Sequence, residues 1–384
     1  MDTCTICGSC DPHYARIRDA FAEQLRSGEE LGAGVAVTVD GEPVVELWAG
    51  HADPARSRPW TRDTIVHLYS VTKGMTALCL LRLVERGALA LDAPVARYWP
   101  EFAQAGKEKI PVDWLLSHRA GLQALRTPLP PEALYDWDAV CTALAAAAPC
   151  LPPGRLGYHP LTFGWLVGEL VRRVDGRSVG RFFREEIALP LGADLHIGLT
   201  PAEEKRAADI TVLEPPPELA AAFTDGGGGE LPLIALAFIN PLGNGDHNSP
   251  PHRRAEIPAI NGHGTAAALA RIYGALACGG EVDGVRVLSE ASLARARTPQ
   301  AAGVDALLEL PLQLGLGFWI SQPEVPGLAL GPNAGAFGHP GAGGSLGFAD
   351  PKARVGFGYV TNRMGRSVVV DARAQALIDA LYAG

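Results

Sequence analysis

Strand-forming sequence stands at both ends of this chain with a long helical stretch between, and that arrangement restricts the folds open to it. Near the start, Val35-Ala36-Val37-Thr38-Val39 and the run from Pro43 to Trp48 flank Asp40-Gly41, the residue pair of a tight hairpin turn. Near the end, segments 314–320, 337–339 and 355–361 carry strand chemistry, and a helix is expected over 370–382. Between them, 70–86 is a long apolar helix stopped at Gly87, followed by helical patterns at 161–174, 179–187 and 265–277. A first helix is expected over 11–27, with Asp11 and Pro12 forming its cap and first turn. The expected fold class is α/β (α+β): an antiparallel sheet flanked by helices, with an inserted all-helical domain. The sheet unit is discontinuous, built from 11–66 plus 263–384, and the first and last helices pack together on it. Residues 67–262 form the mainly helical domain, with a long active-site loop at 214–260. Residues 1–10 read as a disordered leader containing cysteines.

Bulk properties exclude several classes of function. The 384 residues are 47% hydrophobic, enough for a large core. A formal net charge of −9 is wrong for a nucleic-acid binder, which needs a basic face. No apolar run reaches the length of a membrane-spanning helix, and MDTCTICGSC lacks the basic-then-apolar pattern of a secretory signal. A soluble cytoplasmic protein without a membrane partner is expected. Cys4, Cys7 and Cys10 have a spacing that could surround a zinc ion or an iron–sulfur cluster, but only His13 lies near as a fourth ligand. Cys79, Cys141, Cys150 and Cys278 read as small buried hydrophobes. His247, His252 and His263 lie along a loop without metal-ligand spacing, and the glycines at 226–229 are not followed by a helix. Neither a metal nor a cofactor is expected.

The sharpest local signal is Leu68-Tyr69-Ser70-Val71-Thr72-Lys73-Gly74 at a helix start. Residues three apart share a helix face, so Ser70 Oγ and Lys73 Nζ can meet. A serine hydroxyl needs a base, and a lysine whose pKa is lowered by burial can serve. The helix N-terminus also aims free N–H groups at an oxyanion. By itself Ser-x-x-Lys is a weak pattern, and a capping serine with a solvated lysine would also produce it.

Further segments raise its specificity. Residues 70–102 resemble the nucleophile helix, and the turn after it, of the penicillin-recognising serine enzymes: class C β-lactamases, DD-peptidases and the related family VIII carboxylesterases. Leu115-Leu116-Ser117-His118-Arg119-Ala120-Gly121-Leu122 resembles their LLxHxxGL segment, and Pro153-Gly154 followed by Tyr158 resembles their PG…Y element. Gly338-His339-Pro340-Gly341-Ala342-Gly343-Gly344 resembles the third motif, Lys-Thr-Gly in β-lactamases and often His-x-Gly in the esterases. The resemblance implies a β-lactamase/transpeptidase-like fold with Ser70 as nucleophile, Lys73 as its base and Tyr158 as the proton relay. It also implies an oxyanion hole from the backbone N–H groups of Ser70 and Ala342.

Two departures set the expected substrate. Tyr158-His159-Pro160 stands where the penicillin enzymes carry Tyr-x-Asn, and His339 stands where they carry a second lysine. An ordinary histidine is mostly neutral at pH 7, so a fixed charge for an anionic substrate is missing. The leading expectation is a carboxylesterase acting on a small-molecule ester, with His339, Gly341, Ala342, His159 and Trp319 at the substrate. Phe318 and Phe238 are further candidates for an acyl pocket, while His118 is read as structural. An acyltransferase using the same acyl-serine, a β-lactamase or D-amino-acid peptidase, and a catalytically silent binding module remain as alternatives. A homo-oligomer is compatible with the sequence and not specified by it.

Overall fold

The computed structural model describes residues 5–211, 231–241 and 246–383. Nine strands form one antiparallel sheet: β1 (Cys7–Cys10), β2 (Gly32–Val39), β3 (Glu42–Gly50), β4 (Ala301–Val304), β5 (Pro311–Leu314), β6 (Trp319–Ile320), β7 (Phe337–Pro340), β8 (Leu346–Asp350) and β9 (Val355–Thr361). Their order is β1-β3-β2-β9-β8-β7-β6-β5-β4. The two ends of the chain therefore meet at β2 and β9, where Val35 lies opposite Tyr359 and Ala36 opposite Gly358. The β2–β3 turn has Asp40 at φ 53° and Gly41 at φ 87°, the left-handed pair its sequence implies.

Strand alternation sends two sets of side chains to two cores. On one face, Phe357 and Tyr359 of β9 join Val35 of β2 and Leu47 of β3 under α1 (Ala15–Ser27) and a C-terminal helix (Ala372–Tyr382), which contribute Ile17, Phe21 and Leu377. The first and last helices pack together there, as expected. On the other face, Gly356 and Gly358 leave room for the helix Ala266–Ala277; a Cβ at either glycine would strike that helix's backbone. Beyond it lies a larger core that includes α2 (Thr72–Glu85) and α3 (Thr162–Asp175). A separate three-stranded sheet, with Gly262–Gly264 between Val66–His67 and Leu195–Ile197, leads into α2.

Four sequence expectations change. Cys7–Cys10, taken for disordered leader, is the edge strand β1, with Cys7 opposite Trp48. Residues three apart on a strand face opposite sides, so Cys7 and Cys10 do not converge on one ion; Cys4 is outside the described residues. Segment 314–320, read as one strand, is a tight hairpin: Leu314 pairs with Trp319 and Gly317 takes φ 83°. Gly262–Gly264, which holds His263 of the expected loop, is a strand. The loop at 214–260 contains the helices Leu233–Ile239 and Pro250–Arg254, while 214–230 and 242–245 fall outside the described residues. Among the described residues no helix is long and apolar enough to cross a membrane.

Candidate active site

The approach to Ser70 is a constrained turn. Val66–His67 pairs with Gly262–Gly264, and then Tyr69 adopts φ 47°, a left-handed conformation costly for a bulky residue. Thr72 closes the turn: its hydroxyl donates to the Tyr69 carbonyl at 2.6 Å and accepts the Gly262 N–H at 2.8 Å. The helical turn Tyr69–Val71 follows directly and runs into α2, so Ser70 sits where the first N–H groups lack helical acceptors.

Lys73 is fully buried, and its Nζ lies 3.0 Å from Ser70 Oγ. The same nitrogen donates to the Pro160 carbonyl at 2.8 Å and the Ala259 carbonyl at 3.0 Å. A neutral amine has two N–H donors and one lone pair. The two carbonyls occupy the donors, which leaves the lone pair for the Ser70 hydroxyl. Burial pushes the Lys73 pKa well below its ordinary value, favouring that neutral form. Pro160 stands where the penicillin enzymes carry asparagine, so this position still reaches the lysine through its backbone.

Tyr158 is also buried, with its hydroxyl beside Ser70. It lies 3.4 Å from His339 Nε2, and burial raises its pKa, which keeps it a phenol. The His339 ring is fixed through Nδ1, which donates to the Pro340 carbonyl at 2.7 Å and leaves Nε2 as the acceptor facing Tyr158. Burial and then the neighbouring Lys73 hold the His339 pKa well below normal, so the ring is neutral. Trp319 packs edge-on to Tyr158, with ring centres 6.0 Å apart and 5.4 Å from His339; its indole N–H is buried and has no partner among the described residues.

Gly341 brings the end of β7 against the nucleophile turn. A Cβ there would clash with the Leu68 carbonyl and crowd Val71. The Gly341 N–H is taken by the Ser345 carbonyl at 2.7 Å, whereas those of Ser70 and Ala342 meet no backbone acceptor among the described residues.

Not every candidate joins this group. His159, expected at the substrate, is enclosed, and its Nε2 accepts the Leu122 N–H at 3.1 Å. His118 is structural as read: its Nδ1 accepts the His159 N–H at 3.0 Å. Phe318 is core, packed edge-on to Phe337 with ring centres 5.3 Å apart and pressed against Gly74 of α2. Phe238 packs beside a small cluster of Ala124, Leu236 and Leu307. Asp305 was not singled out by sequence, yet it accepts the Tyr158 N–H at 2.7 Å and two further backbone N–H groups, fixing the tyrosine's backbone. Nothing marks it among the acidic residues, and the Pro160 and Ala259 carbonyls have no sequence signature at all. Away from the Ser70–Lys73 pair, His247 and His252 gather against His67 despite their lack of motif spacing.

A serine at the head of a buried helix beside this sheet is the layout of the β-lactamase-fold hydrolases, and the chain is one of them. Residues 17–380 match the Beta-lactamase family, to which the chain belongs. Esterase/beta-lactamase LipL of Mycobacterium tuberculosis is 39% identical over 383 residues, covering 96% of this chain and 86% of that protein. A penicillin-binding protein homologue from Caulobacter crescentus superimposes with a TM-score of 0.88 and 42% identity, covering 99% of both chains. A family VIII carboxylesterase superimposes with a TM-score of 0.87 and 40% identity, again over 99% of both.

Proposed function

We infer that the protein is a carboxylesterase that carries its acyl group on Ser70 and acts on neutral esters of small molecules. The observation behind this reading is the Lys73 amine, 3.0 Å from Ser70 Oγ with both remaining hydrogen bonds on neutral carbonyls. As Ser70 Oγ bonds the acyl carbon, its proton passes to Lys73 Nζ. The carbonyl electrons move onto the oxygen, which receives hydrogen bonds from the Ser70 and Ala342 N–H groups. The carbon–oxygen bond to the alcohol then breaks. Tyr158 gives the leaving oxygen a proton and regains one from Lys73. Water repeats the sequence from the acyl-enzyme and releases the acid.

Neutral His339 supports the choice of ester over anionic substrate, because no fixed cation stands at the third motif. The likeness to a family VIII carboxylesterase agrees with this choice, and the name of LipL joins esterase with β-lactamase. The test uses short-chain aryl esters beside a chromogenic cephalosporin, with turnover and intact mass recorded together. Ester turnover with an acyl adduct that disappears in Ser70→Ala is expected. Cephalosporin turnover faster than ester turnover would replace this reading with a β-lactamase; no adduct from either substrate would leave a binding module.

A further inference from the structure

The strand that feeds Ser70 has a second neighbourhood. His67 Nε2 lies 3.4 Å from His252 Nε2. The His247 ring centre is 4.5 Å from that of His252 and 5.3 Å from that of His67. His263 flanks the group, its ring centre 5.1 Å from that of His67. A ring nitrogen from each of His67, His247 and His252 lies within 4.8 Å of the other two. His67 and His252 are buried and His247 is half-buried, yet Nδ1 of His247 meets no hydrogen-bond partner among the described residues. Buried polar nitrogens without partners are unusual and need an explanation.

We propose that His67, His247 and His252 bind one divalent transition-metal ion of the Zn²⁺, Co²⁺ or Ni²⁺ kind, with water completing its coordination. Imidazole suits these ions, and three histidines with an open position are a known zinc arrangement. Zinc–nitrogen bonds of about 2.0–2.1 Å at a tetrahedral angle put two ligating nitrogens roughly 3.4 Å apart, which matches the His67–His252 pair. Burial holds His247 at about 4 and His252 at about 3, so both present lone pairs at neutral pH. Arg253, the cation that acts on both His67 and His252, is paired with Asp209 at 2.7 Å. Asp246 adjoins His247 and offers a compensating negative charge. Metal at His67 Nε2 moves that ring's proton to Nδ1 and gives up the long 3.4 Å contact from the Tyr69 N–H. The ion thus ties residues 246–254 to the strand before the nucleophile.

The test takes the full chain without a polyhistidine tag, strips it with a chelator and titrates it with cobalt chloride. One Co²⁺ per chain is expected, with visible ligand-field absorption that one equivalent of Zn²⁺ displaces and that survives gel filtration. His247→Gln, at the half-buried edge, and His252→Gln should each weaken apparent Co²⁺ affinity at least tenfold, while His13→Gln on the exposed surface leaves it unchanged. Circular dichroism of the metal-free variants identifies any that fail to fold, and the His247→Gln result then decides. Absence of stoichiometric cobalt in the wild type, or undiminished affinity in folded His247→Gln, overturns the proposal.

Discussion

Lys73 has two carbonyls and a hydroxyl as its hydrogen-bond partners and no carboxylate among them, so burial alone sets its charge state. Its folded pKa lies below its unfolded value of about 10.4, and between the two the unfolded chain binds more protons. Stability therefore rises with pH across that window, and the penalty on the native state grows as pH falls from the unfolded value and levels off below the lowered folded one. Lys73→Met should raise the thermal midpoint at pH 7 while reducing kcat/KM by on the order of 10⁴-fold or more. A lowered midpoint in that variant would contradict burial as the cause. The wild-type pH–rate profile should climb from the acid side, with its limb centred below the ordinary lysine value, because only neutral Lys73 accepts the Ser70 proton. His339 sets the second residue-scale expectation. His339→Lys restores a cation near the reacting carbonyl and should shift the cephalosporin-to-ester ratio of kcat/KM upward about tenfold, roughly 1.4 kcal/mol. An unchanged ratio would mean that charge at the third motif does not govern substrate choice.

At the scale of elements, the contact between β7 and the nucleophile turn depends on a missing side chain. Gly341→Ala adds a Cβ against the Leu68 carbonyl, so either the strand end or the turn must shift. A displacement near 1 Å costs about 10²-fold in rate, and the loss should fall on kcat with KM little changed. Steady-state kinetics on an aryl ester would separate this from a simple binding defect. The same contact marks the limit of what sequence can reveal. The hairpin at Asp40-Gly41, the helix from Thr72 and the strand from Val355 are legible because turn chemistry and periodicity act locally. Ser70, Lys73, Tyr158 and the third-motif segment are legible because their residue types and spacings recur together. The edge strand at Cys7–Cys10 was hidden because its pairing with β3 is long-range and its sequence is polar and short. His159 misled because a polar side chain next to Tyr158 can face either the substrate or the scaffold, and the Leu122 N–H claims it. The carbonyls around Lys73 were invisible, since every residue carries one.

Over the whole molecule, the helices that carry the site have no core of their own. The large cluster that includes Leu78, Leu166 and Phe182 continues without a break into Ala36, Ala349 and Val360 of the sheet. On the far face, α1 and the C-terminal helix close a second core over the same strands, so the sheet is held from both sides. This arrangement predicts one cooperative unfolding transition. Leu377 is fully buried in the far core, on the opposite side of the sheet from Lys73. Leu377→Ala removes a buried side chain there and should cost about 2–5 kcal/mol. In a urea titration, the loss of helical circular dichroism and the loss of Ser70 labelling by an organophosphonate should move together to a lower midpoint with an unchanged slope. If Ser70 remained reactive beyond the point where the sheet had unfolded, the helical part would be stable alone, and the shared core would not bind the molecule into one unit.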